Sequence, residues 1–168
     1  EHLCKFLYTR DYKVKFDSDF NNEKIKIKKD FIDSLKLPVI PRDYQMIAAN
    51  HALSHHKTLL LSPTASGKSL IIYIILRYLN LKTLILVPTT SLVSQMYNDF
   101  REYGFDVANN CHTVFAGRDK GSELPIIIST WQSIYKMQQK YFEQYELVIG
   151  DEAHGFKSKS LTSIMTKC

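Results

Sequence analysis

Between the apolar runs Thr58-Leu59-Leu60-Leu61 and Leu70-Ile71-Ile72-Tyr73-Ile74-Ile75-Leu76 the chain carries Ser62-Pro63-Thr64-Ala65-Ser66-Gly67-Lys68-Ser69. A short apolar run, a loop of small residues and a longer apolar run read as strand, loop and helix. A helix entered this way turns its unpaired amide groups and the positive end of its dipole toward the loop, which suits phosphate oxygens. Thr64, Ala65, Ser66 and Gly67 would then form the backbone cradle. Lys68 would reach the outer phosphates and the Ser69 hydroxyl would take a Mg²⁺ coordination position. The pattern for such a loop asks for Gly at both ends of its first six positions; here the first is Ser62 and only Gly67 remains. Ser62 and Ala65 are both small enough to keep a close backbone approach open. An ordinary strand-to-helix turn containing Gly-Lys-Ser is the alternative for this stretch taken alone.

The stretch sits in an alternation that begins at Arg42. The pattern predicts helix Asp43–Ser54, strand Thr58–Leu61, helix Lys68–Leu79, strand Thr83–Val87 and helix Ser91–Tyr103 closed by Gly104. Strands His112–Phe115 and Ile126–Ser129, a helical stretch Gln132–Tyr145 and strand Glu146–Ile149 follow. Strands this apolar, separated by helices, require a mostly parallel sheet covered on both faces, with the ligand at the carboxyl ends of the strands. Upstream, His2–Tyr8 reads as the last turns of a helix, Tyr12–Phe16 as a half-exposed strand, and Lys28–Leu37 as a short helix ended by Pro38. The expected organisation is a small α+β piece over 1–37, a linker over 38–41 and an α/β domain over 42–168. The chain begins at Glu1 and stops at Cys168, inside the predicted helix Ser158–Lys167, so it is expected to be an excerpt.

Composition narrows the class of partner. The net charge of +5 permits contact with a polyanion, but residues 1–41 hold nine basic and seven acidic side chains, so the excess is spread rather than clustered. The lysines at 24, 26, 28 and 29 are interleaved with Glu23, Asp30 and Asp33 and read as a solvated face. Three widely spaced cysteines, Cys4, Cys111 and Cys168, suit neither a disulfide framework nor a zinc cluster and point to a reducing, cytoplasmic setting. The longest purely apolar run, Leu70–Leu76, is far short of a membrane span. His51 and His55 share a helix face, but a zinc-protease pattern would need Glu at position 52, which is Ala. They read as histidines at a helix C-terminus, facing its dipole or solvent.

A second chemical signal comes from Leu147-Val148-Ile149-Gly150-Asp151-Glu152-Ala153-His154, which puts two carboxylates at the end of an apolar strand. With a phosphate loop upstream, Asp151 is suited to hold the hydration shell of Mg²⁺, and Glu152 to orient or deprotonate an attacking water.

Five segments then stand in order: Arg42-Asp43-Tyr44-Gln45, the loop ending Gly67-Lys68-Ser69, Pro88-Thr89-Thr90-Ser91-Leu92, Ser129-Thr130-Trp131-Gln132 and Asp151-Glu152-Ala153-His154. Together they resemble the first motor domain of superfamily 2 helicases, and within that superfamily the UvsW-type helicases of tailed phages. The likeness covers residues 42–168; residues 1–41 resemble the tail end of that family's N-terminal DNA-binding domain. The resemblance implies a RecA-like fold, use of ATP with Mg²⁺, and DNA, as a single strand or a branched duplex, as partner, with no membrane. It implies that Arg42 and Gln45 serve the nucleotide. A Gln amide can accept from adenine N6–H₂ and donate to N7 together, although a core-helix Gln would look the same. It further implies that Thr89, Thr90, Gly117 and Thr130 contact the backbone of one strand and that His154 links the two sites. As plain helix caps, Thr90 and Thr130 would look no different.

A second motor domain, carrying an arginine finger, is expected in the same polypeptide, and residues 1–168 alone are expected to be nearly inactive. Two other readings share the motifs in whole or part: a double-stranded-DNA translocase of restriction-enzyme type, and a P-loop nucleotide switch that never touches nucleic acid.

Overall fold

The computed structural model describes residues 25–55, 57–61, 66–115, 119–152 and 164. The helix His2–Tyr8 and the strand Tyr12–Phe16, and the helix Ser158–Lys167 apart from residue 164, lie outside them. Four parallel strands, β1 (Thr83–Val87), β2 (Cys111–Val114), β3 (Ile126–Thr130) and β4 (Leu147–Gly150), form one sheet in the order β2-β3-β1-β4. Register aligns Val87 with Thr130 and Leu86 with Gly150. The carboxyl ends of β1, β3 and β4 therefore finish on one edge.

Each face of the sheet is sealed by a separate apolar cluster, because side chains alternate along a strand. On one face Ile85, Val87, Ile126 and Ile128 pack under α3 (Lys68–Leu79) and α4 (Thr90–Glu102). On the other, Leu84, Leu86, Val114 and Ile127 pack with Trp131, Ile134, Phe142 and Tyr145. Helix α3 is buried at every position from Leu70 to Leu76, so burial on all sides holds a sequence whose many isoleucines would otherwise disfavour a helix. Asn80, left-handed at φ 49°, closes it with its N–H on Leu76 O at 2.9 Å. Helix α2 (Asp43–Leu53) packs alongside, and α1 (Lys29–Ser34) follows an extended lead-in whose Ile25 and Ile27 amides donate to Ser54 Oγ and Asn50 Oδ1. Phe31 meets the Tyr78 ring edge-on, and Ile27 and Leu35 join the apolar cluster of α3 and α4.

Three elements differ from the sequence expectation. Thr58–Leu61 forms no strand: it has no place in the ladder, and Leu59 and Leu61 are 65% and 90% exposed. An apolar strand needs a neighbour to pair with and a cover on both faces; the described residues give it no ladder partner, and of these four residues Leu60 alone packs against the core. The stretch Gln132–Tyr145 is not one helix but α6 (Trp131–Ile134) and α7 (Gln139–Phe142), parted by a turn. Aromatic residues lose side-chain freedom in a helix, so the burial of Trp131, Ile134, Phe142 and Tyr145 in one cluster sets the path instead. A single-turn helix unforeseen in the sequence, α5 (Val107–Asn110), is capped by Asp106, which accepts from the Asn109 amide at 3.3 Å.

Candidate functional site

Helix α3 opens on Gly67, left-handed at φ +73°, and a Cβ there would stand 2.5 Å from Gln45 Nε2. The left-handed conformation favours glycine, and a Cβ would also push the Gln45 amide out of its place. The helix ladder starts with Leu70 N and Ile71 N on Gly67 O, which leaves the Lys68 and Ser69 amides ahead of it, as the first amides of a helix are.

Lys68 reaches across to the end of β4, where its Nζ donates to Glu152 Oε1 at 2.8 Å; both side chains are a little under a third exposed. The Glu152 bond, and after it the charge of Asp151, raise the Lys68 pKa above its ordinary value against the pull of burial, so the ammonium stays charged. Asp151 continues the ladder through its amide on Leu86 O (2.9 Å), and its Oδ1 accepts from the Glu152 amide at 2.9 Å. Glu152 then leaves the strand direction at φ +56°, a left-handed value that costs a non-glycine residue about 1–3 kcal/mol. This turn stands where its carboxylate meets Lys68.

The N-terminus of α2 is fastened to the same loop. Gln45, 5% exposed, accepts from the Arg42 amide through Oε1 at 2.9 Å and donates through Nε2 to Ser66 O at 3.0 Å and Gly67 O at 3.3 Å. Tyr44 OH donates to the same Ser66 carbonyl at 2.7 Å, and Arg42 Nη1 lies 3.4 Å from that phenol. The sequence reading passed over Tyr44, although it stands inside the Arg42-Asp43-Tyr44-Gln45 segment. It also passed over Tyr103, whose phenol meets Ser69 Oγ at 3.0 Å.

The hydroxyls expected at a strand of nucleic acid gather at the ends of β1 and β3. Thr89 caps α4, accepting from the Leu92 amide at 3.3 Å, and its Oγ1 meets Ser91 Oγ at 2.9 Å. Thr90 is exposed beside it, whereas Thr130 is 5% exposed and shares a 2.7 Å bond with Ser133 Oγ. Gln132 Nε2 donates to Pro88 O at 3.2 Å and joins the two loops. Thr64, Ala65, Gly117 and His154 lie outside the described residues.

The other candidates resolve simply. His55 Nδ1 bonds the His51 carbonyl at 2.7 Å and the two rings stack 4.2 Å apart, so the pair closes its own helix end. Among the described residues no group of three or more His, Cys, Asp or Glu could hold a metal. Burial pushes the Cys111 thiol up to about 12, so it is neither nucleophile nor ligand near neutrality. No described helix is long and apolar enough to cross a membrane.

Residues 38–168 match the family described as type III restriction enzyme, res subunit. The ATP-dependent DNA helicase uvsW of Enterobacteria phage T4 is 32% identical over 98% of this chain and 36% of its own length. The DNA 3'-5' translocase XPB2 of Sulfurisphaera tokodaii is 29% identical over 88% of this chain and 34% of its own. The chain thus spans about a third of the length of these curated relatives. The crystal structure of the UvsW helicase from bacteriophage T4 superposes with a TM-score of 0.80 at 31% identity, over 99% of this chain and 64% of that one. A hypothetical ATP-dependent RNA helicase from Sulfolobus tokodaii, with a TM-score of 0.53 at 23% identity over 63% of this chain and 36% of that one, shares the fold.

Proposed function

Since the chain belongs to the type III restriction enzyme res-subunit family of superfamily 2 helicase motors, we propose that it is the ATP-binding motor domain of a DNA helicase or branch-migration translocase. In the intact protein it couples ATP hydrolysis to movement on DNA. One observation carries this reading: the 2.8 Å pair between Lys68 and Glu152 brings the phosphate loop and the end of β4 together at the carboxyl edge of a parallel sheet. The motor domain occupies 42–168, with 38–41 as the linker from an accessory domain, and the protein works in the cytoplasm of its cell.

The residues fit Mg-ATP by their chemistry. A charged lysine at the start of a twelve-residue helix suits phosphates, and the oxygen donors Ser69 and Asp151 are of the type a hard cation takes. Lys68 and the loop amides hold the phosphates, Ser69 and Asp151 hold Mg²⁺, and Arg42 and Gln45 serve the base. The cation, when bound, neutralises charge that develops on the phosphate oxygens. Lys68 exchanges Glu152 for phosphate oxygens, which leaves the Glu152 carboxylate available to take a proton from water. Gln45 Nε2 must release the Ser66 or the Gly67 carbonyl before it can donate to adenine N7, while Oε1 keeps a second lone pair for N6–H₂. Thr89, Thr90 and Thr130, with Gly117, hold a strand backbone through neutral contacts that carry no sequence information, and His154 links that strand to the nucleotide.

The test is DNA-stimulated ATP hydrolysis and displacement of a strand from forked DNA by the intact protein, both lost in Glu152→Gln. ATP binding without any salt-dependent binding of DNA would replace this reading with a nucleotide switch. The family's description favours one further reading, a translocase on double-stranded DNA. That activity would displace a third strand from a linear duplex and leave the fork intact.

A further inference from the structure

The C-terminal end of α4, outside the motif segments, reaches Ser69. Tyr103 OH stands 3.0 Å from Ser69 Oγ. Burial pushes the pKa of Asp99, one turn earlier, upward, and the Ser69 hydroxyl draws it part of the way back down. Tyr103 is already fixed by its ring, which lies 5.3 Å from that of Tyr73. Tyr73 packs in turn on Phe100 and Phe105, and its hydroxyl accepts from Arg77 at 2.7 Å, while the Arg77 guanidinium lies over the Phe105 ring at 5.0 Å. The phenol is therefore delivered to Ser69 by a rigid aromatic wall.

A serine hydroxyl has one proton and two lone pairs. To hold a cation it must keep a lone pair aimed at the metal and send its proton elsewhere, which is what partners behind a metal ligand supply. We propose that Asp99 and Tyr103 are positioning residues for the divalent cation: Asp99 accepts the Ser69 proton, Tyr103 donates to one lone pair, and the second lone pair is left for the metal. The accounting closes. Were the phenol to take the serine proton instead, no hydrogen would lie between Ser69 and the Asp99 carboxylate. The inference rests on the reading of Ser69 as a Mg²⁺ ligand, and it adds two residues outside every motif segment named above. It also places the metal's support on the helix whose opposite end carries Thr89 and Thr90.

The experiment measures ATP binding to the intact protein by calorimetry across a Mg²⁺ series and in EDTA, with the melting temperature of each variant taken without nucleotide. Tyr103→Phe keeps the ring and its packing, so it isolates the hydroxyl. The expected result is that Tyr103→Phe and Asp99→Ala raise the Mg²⁺ concentration for half-maximal binding about 10-fold, with binding in EDTA unchanged. Asp99→Asn, which can still accept the serine proton, should recover most of the loss. Equal losses with and without Mg²⁺, or a lowered melting temperature without a change in Mg²⁺ requirement, would reduce both residues to packing and overturn the proposal. Ser69→Ala separates the two levels. If it raises the Mg²⁺ requirement while the α4 variants do not, the positioning role fails alone; if it leaves the requirement unchanged, the metal role of Ser69 fails and the inference with it.

Discussion

The two loop clusters on the carboxyl edge of the sheet are built from different material. On the nucleotide side, charged, amide and phenol side chains bind partners far away in sequence: Lys68 to Glu152, Gln45 and Tyr44 to Ser66, Tyr103 to Ser69. On the strand side, neutral hydroxyls mostly bind within their own turn, Thr89 to Ser91 and the Leu92 amide, Thr130 to Ser133, and Gln132 alone spans to the neighbouring loop. The contrast follows from what each edge is proposed to meet. A triphosphate with its cation needs converging charges held by tertiary structure, because only differences in position turn binding into chemistry. A strand that slides needs contacts that are weak, alike and easily exchanged.

The sharpest way to break this comparison is to neutralise one charge on the nucleotide side. Glu152→Gln should lower DNA-stimulated hydrolysis by the intact protein by roughly 10²–10⁴-fold, the usual contribution of a positioned base, while ATP still binds. Lys68→Ala should weaken ATP binding by about 2–3 kcal/mol, roughly 30- to 150-fold, since it removes a charge-assisted contact to phosphate. Asp151→Ala should make the remaining binding indifferent to Mg²⁺. Calorimetric titration with and without Mg²⁺ reads the last two, and unchanged affinity in Lys68→Ala would remove the phosphate-loop assignment.

Gln45 tests how far the nucleotide side extends. Its amide is held at both ends, by the Arg42 amide and by the Ser66 and Gly67 carbonyls. Gln45→Ala should cost ATP about 1–3 kcal/mol and narrow the preference for ATP over GTP, as loss of a two-point adenine contact requires. Equal losses for both nucleotides would confine Gln45 to supporting the loop, where Tyr44 still holds Ser66 O.

On the strand side a change should be smaller and of another kind. Thr89→Val removes the cap of α4 and should lower stability by about 1 kcal/mol. DNA affinity should fall modestly with no change in its slope against salt, because a neutral hydroxyl releases no counterion. ATP affinity without DNA should stay as it was. A shallower salt slope would mean that a positive charge, not the hydroxyl, had been disturbed.

The same contrast explains what could be read from the amino-acid sequence. Helix Lys68–Leu79 and strand Thr83–Val87 were legible to the residue because their patterns are continuous and their ends carry local signals, Gly67 before the helix and Asn80 after it. Thr58–Leu61 misled, since apolar character announces burial but not the partner that would provide it. On the candidate site, the segments of Lys68 and Glu152 announced themselves by their chemistry, and the structure brings those two side chains together. Tyr44, Asp99 and Tyr103 gave no such sign: their contacts to Ser66 and Ser69 span 22 residues or more and depend on how α2, α3 and α4 pack. That Gln45 is buried with its amide engaged was likewise invisible, because the same residue in the same segment serves either a base or a backbone.

The smallest effect concerns pH and isolates the charge difference between the two edges. Lys68 has its pKa raised, first by the bond to Glu152 and then by Asp151, above the ordinary 10.5. A group whose pKa is higher folded than unfolded adds stability that is complete below the unfolded value and is lost as pH climbs through the folded one. The stability difference between the parent chain and Lys68→Met should therefore be flat from pH 7 to about pH 9.5 and shrink only in the alkaline range beyond. Its size should be about 0.2–1 kcal/mol, that of a partly exposed ion pair. Thr89→Val should show no such alkaline decline, since nothing it touches titrates there. Chemical denaturation at a series of pH values measures both. A difference for Lys68→Met that grew with pH would reverse the sign argued here and mean that the ammonium is held by burial more than by its carboxylate partner.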